Sequence, residues 1–384
     1  MGHNADTASP EEVVVGVICD PGSPGEVMES LIDGLPDALA ERVDGAVRWR
    51  FEVRCEDLPL DDTGTIPVAA EARKRRKAEG WDYVLFLTDL PRTKRKRPML
   101  AKVNIKQRAG LVSLPAIGWF RLQRPVRDTF VHLLGTLVNG ASPDGGSGKH
   151  RIRRRPTEIA SPVRQLPFSD QDADLYLVLA GARGWSRLLF GMVRDNRPWR
   201  LVPGLSKALA AALAAAAFGI FFSTIWTLAD SLSATRLTLV SAAAVTAMIV
   251  WLITHHRLWD RPRRAADRGD AVLYNTASVL TLFLGASCMY AVLFTALLLA
   301  ALIIIPGGYF QSQLGHPVGF GDYLGIVWLA SSLGTFAGAI GSTLETPEDL
   351  RRAAYSRRER QRREQWADEE RTEDDYQDVR SEAA

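Results

Sequence analysis

The chain has 384 residues, 47% of them hydrophobic and 24% charged, with a formal net charge of +3. So small a net charge excludes a polycation that wraps nucleic acid by bulk electrostatics, and any charge-driven contact has to rest on local clusters. Cys19, Cys55 and Cys288 show no CxxC spacing, which excludes a zinc knuckle and a disulfide framework and leaves reduced, buried small residues.

The opening "MGHNADTASPEEVVVG" lacks the basic and then apolar run of a secretory signal, and Asp6 stands where a myristoylation motif wants Ser or Thr, so this end is expected in the cytoplasm. From Val13 onward short apolar runs alternate with amphipathic ones, the pattern of an α/β domain with a mostly parallel sheet. "VVVGVIC" reads as a buried strand, "GEVMESLIDGLPDALAERV" as a helix bent at Pro36, and "AVRWRFEVRC" as a half-exposed strand. "VAAEARKRRKAEG" reads as a helix, with "DYVLFLTDL" and "GLVSLPAIG" as further strands. The turn "CDPGSPGE" lacks the GxGxxG spacing of a dinucleotide loop. "GGSGKH" lacks both the leading glycine and the final Ser or Thr of a phosphate-binding loop, so neither predicts a nucleotide or any other cofactor.

"VRDTFVHLLGTL" sets Val126, Phe130, Leu133, Leu134 and Leu137 on one helical face, with His132 and Thr136 on its flank. A zinc-protease helix carries HExxH. Here Leu133 stands in the Glu position and Thr136 in the second His position, so one of three essential groups remains. The order of a strand ending in "LTDL", a strand ending in "VSL" and a helix carrying "HLLG" resembles archaemetzincin-type zincins from Leu87 to Gly135. That resemblance implies a zincin-like fold with the catalytic residues missing. Asp20, Asp89 and His132 are the residues to probe as an acid, base or ligand set, and their places at strand ends and on a helix flank suit turns and caps equally. No catalytic residue and no metal ligand is predicted.

The runs "RKRRK" from Arg73, "RTKRKR" from Arg92 and "RIRRR" from Arg151 carry no interleaved aromatics on which bases would stack, so nucleic acid is not an expected partner. Beside anionic lipid each such residue contributes ~1 kcal/mol, which makes Arg73, Arg75, Arg76, Arg95 and Arg97 candidate headgroup contacts. In "RGWSRLLFGMVRDNRPWR" an apolar stripe of Trp185, Leu188, Leu189, Met192 and Val193 leaves Arg183, Arg187 and Arg194 to one side. This is the pattern of an interfacial helix leading into the membrane, and equally of one packed on the α/β domain.

A bilayer core about 30 Å thick takes ~20 apolar residues in helix. Ala208 to Leu228, Leu237 to Thr254, Leu284 to Ile305 and Leu324 to Leu344 are the predicted crossings. The uncharged run from Ala271 to Pro306 is too long for one, so Tyr274 and Asn275 are expected to project to the headgroups. Arginine crowds the stretches before the first crossing, between the second and third, and after the fourth, and nearly vanishes from the other two loops. The positive-inside rule then puts both termini in the cytoplasm. No charged residue lies at the centre of a crossing, which weighs against ion-coupled transport. In "SSLGTFAGAIGS", Gly334, Gly338 and Gly341 form a small-residue seam for a partner helix. The outward loop "PGGYFQSQLGHPVGFGDY" carries His316 and Asp322, whose neighbourhood of Gly, Pro and aromatics is explained by an interface.

Through "VLFLTDLPR", "GLVSLPAIG", "GMVRDNRPWRLVPGLS", "LGHPVGFGDY" and "RRAAYSRRER" the chain resembles multi-pass membrane proteins of actinobacteria, which implies topology alone. The expected organisation is an α/β domain over 1–182 with a linker at about 140–170, an interfacial helix and elbow over 183–204, four transmembrane helices over 205–344 and a charged tail over 345–384. The expected role is a noncatalytic sensor, scaffold or assembly partner in a bacterial plasma membrane, meeting anionic lipid and either another protein or a second copy. A transporter or channel subunit and a membrane-anchored enzyme are the alternatives.

Overall fold

A computed structural model describes residues 12–61, 64–94, 97–140, 163–167, 173–260, 268–346, 349–350, 355 and 360–361. The chain divides into two compact units, Met1–Asp195 with Arg357–Ala384, and Asn196–Ser356. Most of the expected linker and most of the charged tail lie outside the described residues, but residues 163–167 of that linker form a strand that pairs in the sheet rather than a linker.

The first unit is built on β1 (Glu12–Cys19), β2 (Arg48–Cys55), β3 (Tyr83–Thr88), β4 (Thr93–Lys94), β5 (Arg97–Asn104), β6 (Ala109–Ser113), β7 (Val163–Pro167) and β8 (Leu175–Leu179). They form one sheet in the order β2-β1-β3-β6-β5-β8-β7, with β4 on β5. The strands β2, β1, β3 and β6 run parallel. Every pairing beyond β6 is antiparallel. The expectation of a mostly parallel sheet is therefore corrected to a mixed one. The reason is local: β5 and β6 are joined by the short turn between Asn104 and Ala109, and a connection that short can only reverse the chain. Arg97 and Lys102 interrupt the apolar run of β5 and hide it in the sequence, yet Lys102 is buried, and its amine donates to the Ile66 carbonyl at 3.2 Å.

Helices α1 (Ser23–Glu29) and α2 (Leu35–Arg42) replace the single bent helix expected there. Pro36 lies in the first turn of α2, where its missing N–H breaks no helical bond. Helix α3 (Val68–Glu79) ends at Gly80, whose φ of 72° is the left-handed cap that glycine supplies without strain. Helix α4 (Gln123–Gly140) buries Val126, Phe130, Leu133, Leu134 and Leu137, the face its periodicity indicated. Helix α5 (Gly181–Asn196) closes the unit.

The second unit comprises α6 (Leu201–Gly204), α7 (Ser206–Phe221), α8 (Ser223–Ser231), α9 (Ala234–His255), α10 (Arg268–Ile304), α11 (Gly307–Leu314) and α12 (Phe320–Gly341). Among the described residues, α9, α10 over Ala271–Ile304 and α12 extended to Leu344 are long and apolar enough to cross a membrane. A fourth span results if the bent pair Gly181–Gly204 and Ser206–Phe221 counts as one. The first predicted crossing is not continuous, because Phe222 adopts extended angles, φ −105° and ψ 113°. The break deprives the Gly219 carbonyl of its helical donor, and the Trp226 indole N–H replaces it at 3.0 Å.

Helix α10 is unbroken over 37 residues, about 55 Å at 1.5 Å per residue. Tyr274 and Asn275, expected to project to the headgroups, are both buried. Asn275 accepts from the Asp260 N–H at 2.7 Å and donates to the Asp260 carbonyl at 2.9 Å, which explains how an amide is tolerated there.

Candidate functional site

The parallel strands end side by side in polar residues: Cys19 and Asp20 from β1, Cys55 from β2, Thr88 and Asp89 from β3, Ser113 from β6. The carboxyl edge of parallel strands is where open α/β sheets hold ligands, so this edge is the first place to look. Asp20 is fully buried; Thr88 Oγ1 donates to its Oδ2 at 2.6 Å and the Leu58 N–H to its Oδ1 at 3.3 Å. The Leu90 N–H donates to Thr88 Oγ1 at 3.0 Å, and Ser113 Oγ donates to the Leu90 carbonyl at 2.9 Å. The chain of bonds ties three strand ends to the loops that follow them, and it engages both oxygens of the carboxylate. Asp89, the next side chain along, is also buried.

Cys19 and Cys55 stand opposite each other in the β1–β2 register with their sulfurs 2.7 Å apart, a pairing that no CxxC motif would reveal. The expectation that all three cysteines are buried holds for Cys19 alone, since Cys55 and Cys288 are exposed. Burial first, and then the hydrogen bond with Cys55, push the Cys19 thiol far above its ordinary range, so it stays protonated at neutral pH and is a poor nucleophile.

His132 stands apart from this edge. Its Nε2 lies 3.3 Å from the Gln165 amide nitrogen on β7, while Thr136, in the place of a second zinc ligand, donates back to the His132 carbonyl at 2.8 Å. Asp20 and Asp89 follow neighbouring strands, β1 and β3, whereas the His132 side chain meets β7. Leu133, in the place of a catalytic glutamate, is fully buried.

Burial also holds the His132 imidazole below its ordinary value of 6.5. The folded state then resists a proton that the unfolded chain accepts, so its stabilisation is complete above the ordinary value and is lost as pH falls through and below it. Thermal midpoints measured from about pH 8 to about pH 5 should decline on the acid side, and His132→Gln should flatten that decline. An unchanged slope in the variant would remove His132 as its cause.

The expected headgroup arginines divide in two. Arg75 pairs with Glu71 at 2.7 Å and with Glu56, and Arg76 donates to the carbonyls of Trp81 at 3.3 Å and Gln107 at 3.4 Å. Arg187 donates to the Ile117 carbonyl at 2.6 Å and Arg194 to the Gly118 carbonyl, which fastens α5 to the turn after β6. Arg73 and Arg183 are exposed, Arg97 is half-buried at the β4–β5 hairpin, and Arg95 lies outside the described residues.

In the helical unit the seam of Gly334, Gly338 and Gly341 faces α7 of the same chain. A Cβ on Gly334 would lie 2.6 Å from the Ala212 carbonyl, one on Gly338 3.1 Å from the Ala208 carbonyl, and one on Gly341 2.5 Å from Ala211 Cβ. Beside the seam a polar ring links α9, α10 and α12. Trp328 Nε1 donates to Ser241 Oγ at 2.7 Å, and Ser241, Tyr290 and Ser332 close the ring at 2.9 to 3.2 Å. In the sequence these groups lie scattered among apolar residues and show no strip. Comparison with protein-family models, with curated proteins and with solved structures finds no match to this chain.

Proposed function

We propose that this is a multi-pass protein of a bacterial plasma membrane with both termini in the cytoplasm. Its α/β unit acts as a noncatalytic scaffold that docks a protein partner next to anionic lipid. The observation that carries this reading is the commitment of Asp20, the buried acid at the carboxyl edge of the parallel strands, to Thr88 and the Leu58 N–H, with His132 turned instead to Gln165 on β7. A general acid or base needs an oxygen or nitrogen left to reach a substrate, and a nucleophile needs a thiolate that Cys19 does not provide. The ring of Ser241, Tyr290, Ser332 and Trp328 satisfies its own donors, which suits a bundle that anchors more than one that conducts.

Photo-crosslinkers at Phe120, which is 80% exposed, and at Arg73 and Arg183 should each capture the same discrete protein in native membranes. Tags at both termini should stay shielded from an impermeant reagent in intact cells. Labelling of either tag from outside overturns the topology. A turnover abolished by Asp89→Asn would replace the scaffold with an enzyme.

A further inference from the structure

Three metal-capable side chains converge at one end of the helical unit: Asp230 near the end of α8, His316 in the turn between α11 and α12, and Asp322 in the first turn of α12. One ligand atom from each lies within 4.8 Å of the others. His316 Nε2 is 3.2 Å from Asp230 Oδ1, close to the roughly 3.3 Å edge between two ligands of a tetrahedral ion with bonds of about 2.0 Å.

The imidazole is oriented by its other nitrogen. His316 Nδ1 lies 3.0 Å from the Pro317 carbonyl, which can only accept, so Nδ1 carries a proton; Nε2 is the nitrogen turned toward Asp230, and a metal ion would take the place of the proton shared there. An outer carbonyl that fixes the tautomer in this way is the usual support of a ligating histidine. Asp322 is oriented too, because the Gly319 N–H donates to its Oδ2 at 2.6 Å and leaves Oδ1 for a cation.

The frame beneath them is anchored. Leu232 beyond Asp230, and Leu314 and Val318 on either side of His316, pack against the apolar cluster that contains Trp226 and Phe310. Tyr323, next to Asp322, donates to the Ile305 carbonyl at 2.8 Å. The three side chains therefore stand on packed backbone, the condition for a site held ready for its ligand. His316 and Asp230 keep 41% and 39% of their side-chain surface open to solvent, so an ion and a water can reach them.

We propose that Asp230, His316 and Asp322 form a three-ligand site for a divalent transition metal of the zinc class, with the fourth position open to water. Two carboxylates balance the ion's charge, and the imidazole discriminates against the all-oxygen preferences of calcium and magnesium. The assignment depends neither on the role of the α/β unit nor on which side of a membrane this end faces.

Full-length protein in detergent, stripped with a chelator and dialysed against zinc chloride, should bind one zinc per chain and gain thermal stability on binding. Asp322→Asn keeps an acceptor for the Gly319 N–H while removing the charge. It should weaken zinc at least tenfold, as should Asp230→Asn and His316→Gln, and the triple variant should lose binding. The double variant His255→Ala with His256→Ala removes the chain's adjacent histidine pair and should retain it. Undiminished binding in the triple variant, no binding by the folded wild-type chain, or displacement by excess calcium would each overturn the assignment.

Discussion

Gly191→Ala should lower the stability of the sheet-bearing unit by about 3 kcal/mol, the upper part of the range for overpacking a rigid site. A Cβ at this point of α5 would lie 2.0 Å from the Pro115 carbonyl oxygen, 2.6 Å from its carbon and 2.7 Å from its Cα. All three are backbone atoms, so no rotamer change relieves the clash. Pro115 belongs to the short 3-10 turn Leu114–Ile117, whose four residues are all buried, so the turn cannot retreat either. Helix α5 has to lift instead. Lifting it also pulls Arg187 and Arg194, on neighbouring turns, away from the carbonyls of Ile117 and Gly118. Each half-buried guanidinium that loses its acceptor adds a desolvation penalty of about 1–3 kcal/mol unless water replaces it. Against a total stability of about 5–15 kcal/mol the sum is a large fraction. Urea unfolding followed by tryptophan fluorescence would measure it. Gly308→Ala, where a Cβ meets nothing within 4 Å, is the control and should show no loss. Equal stability of the Gly191→Ala and control proteins would mean that α5 does not rest on this turn.

The same contact shows where sequence reading stops. The stripe of α5 was legible because apolar side chains at helical spacing announce a buried face. The partners of Arg187 and Arg194 were not, because a backbone carbonyl leaves no mark in the letters. Strands β1, β3 and β6 declared themselves as apolar runs, since a strand covered on both faces has no polar side to show. Strand β5 did not, because Lys102 sits in its middle and satisfies its amine on a carbonyl from a distant loop. The break at Phe222 was equally hidden, for it relies on an indole that fills one vacated hydrogen bond in an otherwise uniform apolar run. The candidate metal site required folding before it existed at all. Asp230 and His316 are 86 residues apart, and only the packing of α8 against α11 and α12 brings them together. Cys19 and Cys55 met for a similar reason, through strand register.

What the glycine spacing of α12 did reveal can be tested more sharply than by single substitutions. Gly334→Ala should destabilise the helical unit by about 1–3 kcal/mol, because its new methyl meets the Ala212 carbonyl and Ala216 Cβ of α7. Gly341→Ala should cost a comparable amount, but for a different reason: the nearest atom, at 2.5 Å, is Ala211 Cβ, and the next are the Ala208 Cα at 3.4 Å and the Lys207 carbonyl at 3.5 Å. Removing that one methyl should therefore cure the clash. Ala211→Gly in the Gly341→Ala background should restore most of the lost stability, whereas Ala216→Gly in the Gly334→Ala background should not, since the Ala212 carbonyl remains 2.6 Å away. A double-mutant cycle reads this asymmetry directly as a large coupling energy for one pair and a small one for the other. The alternative, a seam that serves a second copy of the chain, predicts neither pattern. There the substitutions would change the oligomeric state in detergent and leave the coupling between α7 and α12 near zero.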